Sequence, residues 1–120
     1  PIRMIGLDVT ERCQLNDREL IALKKHKLLG KLVDLWQEVR GINPILHDPL
    51  AVAALLDPEL MDWESSKILV ELSGSYLRGQ TIARDEGNVQ VAKEIRRDDF
   101  IKLFLERIGS LNNCSSKEGF

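Results

Sequence analysis

The chain opens on an almost unbroken apolar run, Ile2-Arg3-Met4-Ile5-Gly6-Leu7, and this run constrains the fold more than any other segment. A short continuous apolar stretch at a domain edge reads as a strand buried on both faces, the pattern of parallel sheets. Such a strand needs neighbours on either side. The chain begins at Pro1 without a methionine, and an opening of this kind suggests that sequence upstream of Pro1 has been removed, with a trimmed initiator methionine as the simpler alternative.

The chain has 120 residues, enough for one domain or one piece of a larger one. A hydrophobic fraction of 43% beside 30% charged residues is that of a globular protein that folds in water. Lys plus Arg total 17 against 19 Asp plus Glu. This lacks the basic surplus that phosphate-backbone binding requires, so no nucleic-acid partner is expected. The sequence contains neither an apolar stretch of about 18 residues nor a signal-peptide pattern, so no membrane partner is expected either. Cys13 and Cys114 lie far apart without metal-like spacing and read as reduced thiols of a cytoplasmic protein.

Along the chain, Asp8-Val9-Thr10 ends the first strand with turn chemistry, and Asn16 or Asp17 caps a helix starting near Arg18. Lys24, Lys25, His26 and Lys27 read as a solvated face. Leu29, Leu32, Val33, Trp36 and Val39 form a helical stripe that ends at Gly41, placed as a C-terminal cap. A connector through Asn43-Pro44 leads to His47. Asp48, followed by Pro49, reads as the N-cap of a helix over residues 50–56 that is apolar nearly all round and therefore deep. Ile68–Leu72 and Tyr76–Ala83 flank Ser73-Gly74-Ser75 as a hairpin. Asn88–Ala92 alternates as a third strand after a loop at Asp85–Gly87, and Gly79 is placed to mark a bulge. Asp98 or Asp99 caps a last helix carrying Phe100, Leu103, Phe104 and Ile108, and residues 110–120 read as a polar, flexible tail.

Few residues are placed to carry chemistry. Asp48 is explained by capping alone, although a cap carboxylate has a second oxygen that can face a cation. One carboxylate does not make a calcium site, which takes about six to eight oxygens. His47 sits in a connector rather than on an apolar stripe, where a group titrating near neutrality can act as a general acid. Trp36 admits two readings, core packing within its stripe or the border of a pocket where its ring stacks on a base. Cys13 reads as a small buried thiol, and Arg78 as a surface arginine.

The order of these pieces resembles a known family. His47-Asp48-Pro49-Leu50-Ala51-Val52-Ala53 looks like the C-terminal HDPLA motif of the inosine-uridine-type nucleoside hydrolases, and Ile5–Thr10 resembles their LDVT segment. Val70-Glu71 with Leu77-Arg78-Gly79-Gln80-Thr81 resembles their later hairpin, and the match runs in order over nearly all of residues 2–108. The resemblance implies the C-terminal portion of a Rossmann-like α/β fold, with residues 1–109 as part of the hydrolase domain. It implies hydrolysis of the N-glycosidic bond of a ribonucleoside to ribose and free base through a calcium-bound water. It implies Asp48 as a Ca²⁺ ligand and His47 as the group beside the base that assists its departure. It also implies a homodimer or homotetramer when full length.

The aspartate-rich N-terminal motif that supplies most calcium carboxylates in the family, and the water-activating aspartate with it, has no counterpart here. The mid-chain sugar-binding asparagine segment is absent as well. The expectation is therefore part of a larger enzyme, inactive alone. The competing readings are a short non-catalytic remnant acting in binding or assembly, and an unrelated nucleotide-binding module. The latter is disfavoured because no glycine-rich loop follows the first strand.

Overall fold

The computed structural model describes residues 2–114. Strand β1 (Ile2–Met4) is followed by helices α1 (Leu7–Thr10), α2 (Asp17–Lys24), α3 (Lys27–Arg40) and α4 (His47–Leu56). The long strands β2 (Met61–Val70) and β3 (Thr81–Ile95) come next, and helix α5 (Arg97–Cys114) closes the described chain. The sheet order is β1-β3-β2, with β1 parallel to β3 and β2 antiparallel to it. The architecture is therefore α/β with a mixed sheet, as the sequence implies.

The first strand is parallel, but it is shorter and more open than the apolar run suggests. It ends at Met4, and Ile2 is 64% exposed. The reason is topological: β1 hydrogen-bonds to β3 on one side and is the edge of the sheet on the other. Leu7–Thr10 leaves the sheet as a helical turn, with the Gly6 carbonyl accepting from Val9 N and Thr10 N at 3.1 Å each. Asp8 falls in that first turn, where a carboxylate is favoured by the helix dipole.

Helix α2 starts where Asn16 predicts. The Asn16 side chain accepts from Glu19 N at 3.0 Å, and the Glu19 carboxylate accepts from Asn16 N at 2.9 Å, a complete capping box. His26, expected to be merely exposed, is half-buried and caps α3 by accepting from Leu29 N at 3.4 Å. Gly41 ends α3 at φ +67°, the left-handed conformation glycine adopts freely.

Helix α4 begins one residue before Asp48, so Asp48 is a first-turn residue and not the N-cap. Leu46 occupies the cap position and makes no side-chain capping bond. The start is fixed by tertiary pairing: Leu46 N donates to Cys13 O at 3.2 Å, and Leu15 N donates to Pro44 O at 3.0 Å around the Gln14–Ile45 bridge. Pro49 then sits third in the helix, where a backbone N–H has no helical partner to lose. Nor is α4 deep all round. Leu50, Ala53 and Ala54 are buried, whereas Val52, Leu55 and Leu56 are exposed.

The late strands are two rather than three. β2 begins at Met61 and ends at Val70, while Tyr76 through Gln80 belong to the turn. Asp85–Gly87, expected as a loop, is a bulge inside one continuous β3, because Ser66 pairs with Val89 while the next residue, Lys67, pairs with Arg84. Gly87 is required there. A Cβ on it would lie 2.5 Å from Lys67 N. Gly79, expected to mark a bulge, is instead a turn residue at φ +92° whose N–H donates to Glu71 O at 2.7 Å.

Helix α5 starts at Arg97, which puts Asp98 and Asp99 in its first turn, and it continues to Cys114, past the Ser110 at which a tail is expected. The remainder of that segment, residues 115–120, lies outside the described residues. Phe100 and Ile101 anchor α5 in a core shared with Val9, Leu15, Leu50 and Met61.

A single arginine ties these elements together. Arg97 pairs both guanidinium nitrogens with Glu19, at 2.9 and 2.8 Å, and also donates to Gln14 O at 2.6 Å and Arg12 O at 3.0 Å. The pair is largely enclosed, the two side chains retaining 27% and 15% exposure. Bidentate bonding to Arg97 holds the Glu19 carboxyl below its ordinary range. A depressed carboxyl pKa stabilises the fold above the unfolded value of 4.5, and that contribution is lost as pH falls through the folded value. Arg97→Ala is expected to cost about 2 kcal/mol in urea unfolding at neutral pH. Glu19→Gln should lower stability at neutral pH and flatten its fall below pH 4.5. An unchanged acid limb in Glu19→Gln would show that the pair contributes nothing to the pH dependence.

Candidate functional site

His47 and Asp48 open α4 at the point where the chain emerges from its pairing with the Cys13–Leu15 segment. Backbone bonds on both sides of the connector therefore fix where His47 stands. His47 is partly buried, and its Nδ1 lies 2.8 Å from Thr10 Oγ1. Thr10 is itself buried and its hydroxyl donates to Leu7 O at 3.4 Å. With the hydroxyl hydrogen turned to Leu7, Oγ1 accepts from Nδ1–H, and Nε2 is the ring nitrogen left for another partner. Thr10 thus orients the imidazole. Sequence reasoning treats Thr10 as a strand-ending residue and misses this role, because the pairing joins positions 37 residues apart.

Asp48 is exposed at the positive end of α4. Among the described residues no three His, Cys, Asp or Glu side chains come together in a way that could hold a metal ion. The residues present therefore do not by themselves fit a calcium ion. Trp36 is 40% exposed, with the Arg40 guanidinium 5.4 Å from its ring centre. Together with Leu32, Leu46, Pro49 and Phe104 it lines an apolar groove, so the two residues that bracket His47-Asp48 share a surface with the tryptophan. Trp36 is thus not a core residue, as its place in the helical stripe suggests, but an exposed side chain at the border of the groove.

Cys13 is fully buried, and burial raises its thiol above the ordinary range against a smaller opposing effect of Arg97. A protonated, enclosed thiol is no nucleophile. Among the described residues no helix is long and apolar enough to cross a membrane.

The family model described as inosine-uridine preferring nucleoside hydrolase matches residues 1–102. The chain belongs to that family. The pyrimidine-specific ribonucleoside hydrolase RihA of Photobacterium profundum is 29% identical over 92% of this chain and 41% of its own length. The RihA enzyme of Escherichia coli O9:H4 (strain HS) is 28% identical over 90% of this chain and 40% of its own length. Among solved structures, the purine-preferring ribonucleoside hydrolase from Gardnerella vaginalis superposes with a TM-score of 0.75 at 29% identity, over 92% of this chain and 40% of that one. An inosine-guanosine nucleoside hydrolase gives a TM-score of 0.78 at 18% identity, over 91% of this chain and 39% of that one, a likeness of fold. The chain thus spans about two fifths of the length of the relatives it matches.

Proposed function

We propose that residues 1–109 form the C-terminal part of a nucleoside hydrolase domain and contribute the leaving-group side of its active site. The reaction is hydrolysis of a ribonucleoside: the bond from the sugar C1′ to the base nitrogen breaks, a water oxygen takes its place on C1′, and the base leaves with a proton. The observation that carries this reading is the orientation of His47 by Thr10 within a chain of this family. Holding Nδ1–H on Thr10 leaves Nε2 to meet the departing base, and in the imidazolium form, with a proton on each ring nitrogen, Nε2 donates its proton as negative charge develops on the base. Trp36 borders the same region and offers a face for the base.

Asp48 has a different task. Its exposed carboxylate, beside the positive end of α4, suits one oxygen position of a calcium ion. A bound calcium would lower the pKa of a coordinated water. The remaining ligands and the group that takes the water's proton are expected outside these 120 residues, where the rest of a homo-oligomeric enzyme would supply them. The similar proteins named above include both pyrimidine-specific and purine-preferring enzymes, so this reading commits to the bond cleaved and not to the base.

The test is release of free base from inosine and uridine, followed by ultraviolet absorbance with and without calcium. The 120-residue chain alone should release none above background. Combined with an aspartate-rich N-terminal portion of the fold, it should show calcium-dependent release that Asp48→Asn reduces at least about 100-fold. Turnover by the chain alone, or calcium-independent turnover by the completed enzyme, would sink the assignment. A completed enzyme with no activity would favour the non-catalytic remnant.

A further inference from the structure

His47 stands at the end of a connector with little regular structure of its own. Residues 42–46 pair with the Cys13–Leu15 segment through one isolated bridge, Gln14–Ile45. A segment with so few ladder bonds leans on its side chains for a fixed position. Asn43 supplies them. Its Nδ2 donates to Leu15 O at 3.0 Å and to Asp17 Oδ1 at 3.1 Å, and its Oδ1 accepts from Gln37 Nε2 at 2.9 Å. Its main-chain oxygen accepts from Gln14 Nε2 at 3.1 Å. The line of bonds continues into the helices: Gln37 Oε1 accepts from Lys24 Nζ at 2.9 Å, and Lys24 also pairs with Asp34 at 2.6 Å.

These bonds all run in one direction. Lys24 can only donate, and the Asp17 carboxylate and Leu15 O can only accept, so each residue between them must accept at one end and donate at the other. A primary amide does both. The orientation of the two amides follows, because turning either one would set oxygen against oxygen and nitrogen against nitrogen. The line leaves α2 at its last residue, Lys24, crosses α3 at Gln37 and returns to the first residue of α2, Asp17. Asn43 is its link to the connector.

We infer that Asn43 is a positioning residue for His47, held in turn by Gln37. The inference rests on the leaving-group role of His47 proposed above. Asn43 anchors the entry to the connector, the Leu15–Pro44 and Cys13–Leu46 backbone bonds anchor the rest, and Thr10 turns the ring. Without the first anchor the backbone at His47 is free to shift against Thr10, and a displacement of about 1 Å is enough to cost catalytic rate. Asn43 is only half-buried and lies outside the apolar core, so the fold should stand without it.

The test compares two kinds of substrate in the enzyme completed with an N-terminal portion. The base of inosine or uridine needs a proton donor to leave, whereas para-nitrophenyl riboside releases a phenolate stable enough to leave without one. General damage to the fold slows both. Asn43→Asp sets a carboxylate against Leu15 O and Asp17, and should lower kcat on inosine and uridine about tenfold, with KM and the rate on the nitrophenyl riboside kept within about twofold. Adding Asp17→Asn to it places a donor opposite an acceptor again, and should bring kcat back to within about threefold of the starting value. Gln37→Leu breaks the line without adding charge and should give the same selective loss, about threefold, which carries the test if Asn43→Asp does not fold. In the 120-residue chain itself, the nuclear Overhauser contact between Thr10 and the His47 ring should weaken in Asn43→Asp and return in the double variant.

An Asn43→Asp enzyme that keeps its rate on inosine, or that slows on both kinds of substrate alike, overturns the inference, as does a double variant that recovers nothing. A Thr10–His47 contact unchanged by Asn43→Asp also counts against Asn43 and leaves the role of His47 standing. His47→Ala is the reference: if it slows both kinds of substrate alike, the leaving-group reading itself fails, and the positioning role falls with it.

Discussion

Replacing His47 with alanine in an enzyme completed around this chain is expected to lower the rate of base release by about 10²- to 10⁴-fold, the range typical of a lost general acid. The loss should fall on kcat more than on KM, since a group that acts on the departing base stabilises charge that appears only in the transition state. Thr10 provides the internal control. Thr10→Val removes the oxygen 2.8 Å from His47 Nδ1 while keeping the branched shape. Its expected cost is smaller, about tenfold, because the imidazole remains but is free to rotate. Thr10→Ser restores the hydroxyl and should recover most of the rate. Steady-state kinetics on inosine and uridine measure all three, and a His47→Ala enzyme that keeps full activity would remove the histidine from the mechanism.

The second large effect concerns stability. Phe100 is fully buried, and its ring packs at 6.3 Å and 36° against that of Phe104. It joins α5 to the core shared with Leu15, Leu50 and Val9. Phe100→Ala is expected to cost about 3–5 kcal/mol, the usual result of emptying a buried aromatic site. Against a total stability of about 5–15 kcal/mol, that leaves a large unfolded fraction at 37 °C. Urea titration followed by tryptophan fluorescence measures it. A loss below about 1 kcal/mol would mean that the cavity refills from the neighbouring groove.

Much of this architecture could be read from residue order, and the departures share one cause. Asn16, Gly41 and the Phe100 stripe act through neighbours three or four positions away, so local pattern identifies them. The start of α4, the exposure of Ile2 and the bulge at Gly87 are settled by distant partners: Cys13 for Leu46, Val89 for Ile2, and Ser66 with Lys67 for Gly87. No local signal announces such pairs. The same division runs through the site. His47 and Asp48 are visible as a motif, whereas the hydroxyl that orients His47 comes from Thr10, a residue whose own neighbours suggest only a turn. Asp48 was expected as a cap because Asp-Pro so often opens a helix. Freed from capping, its carboxylate is available to an outside ligand.

The bulge in β3 has a mechanical consequence. Inside it, Val89–Val91 is gripped between β1 and β2, and its residues are largely buried against the body. Beyond it, Lys67–Val70 and Thr81–Arg84 form a bare two-stranded ribbon, with Tyr76 almost fully exposed in the turn that joins them. Four unmatched residues at the joint break the ladder, so strain on the ribbon is relieved by local bending before it travels further. A two-stranded ribbon without a third strand is held less firmly than the root, so it is expected to open first. Its amides should exchange with solvent long before those at the root, and a protease cut near Tyr76 would leave the setting of His47 intact.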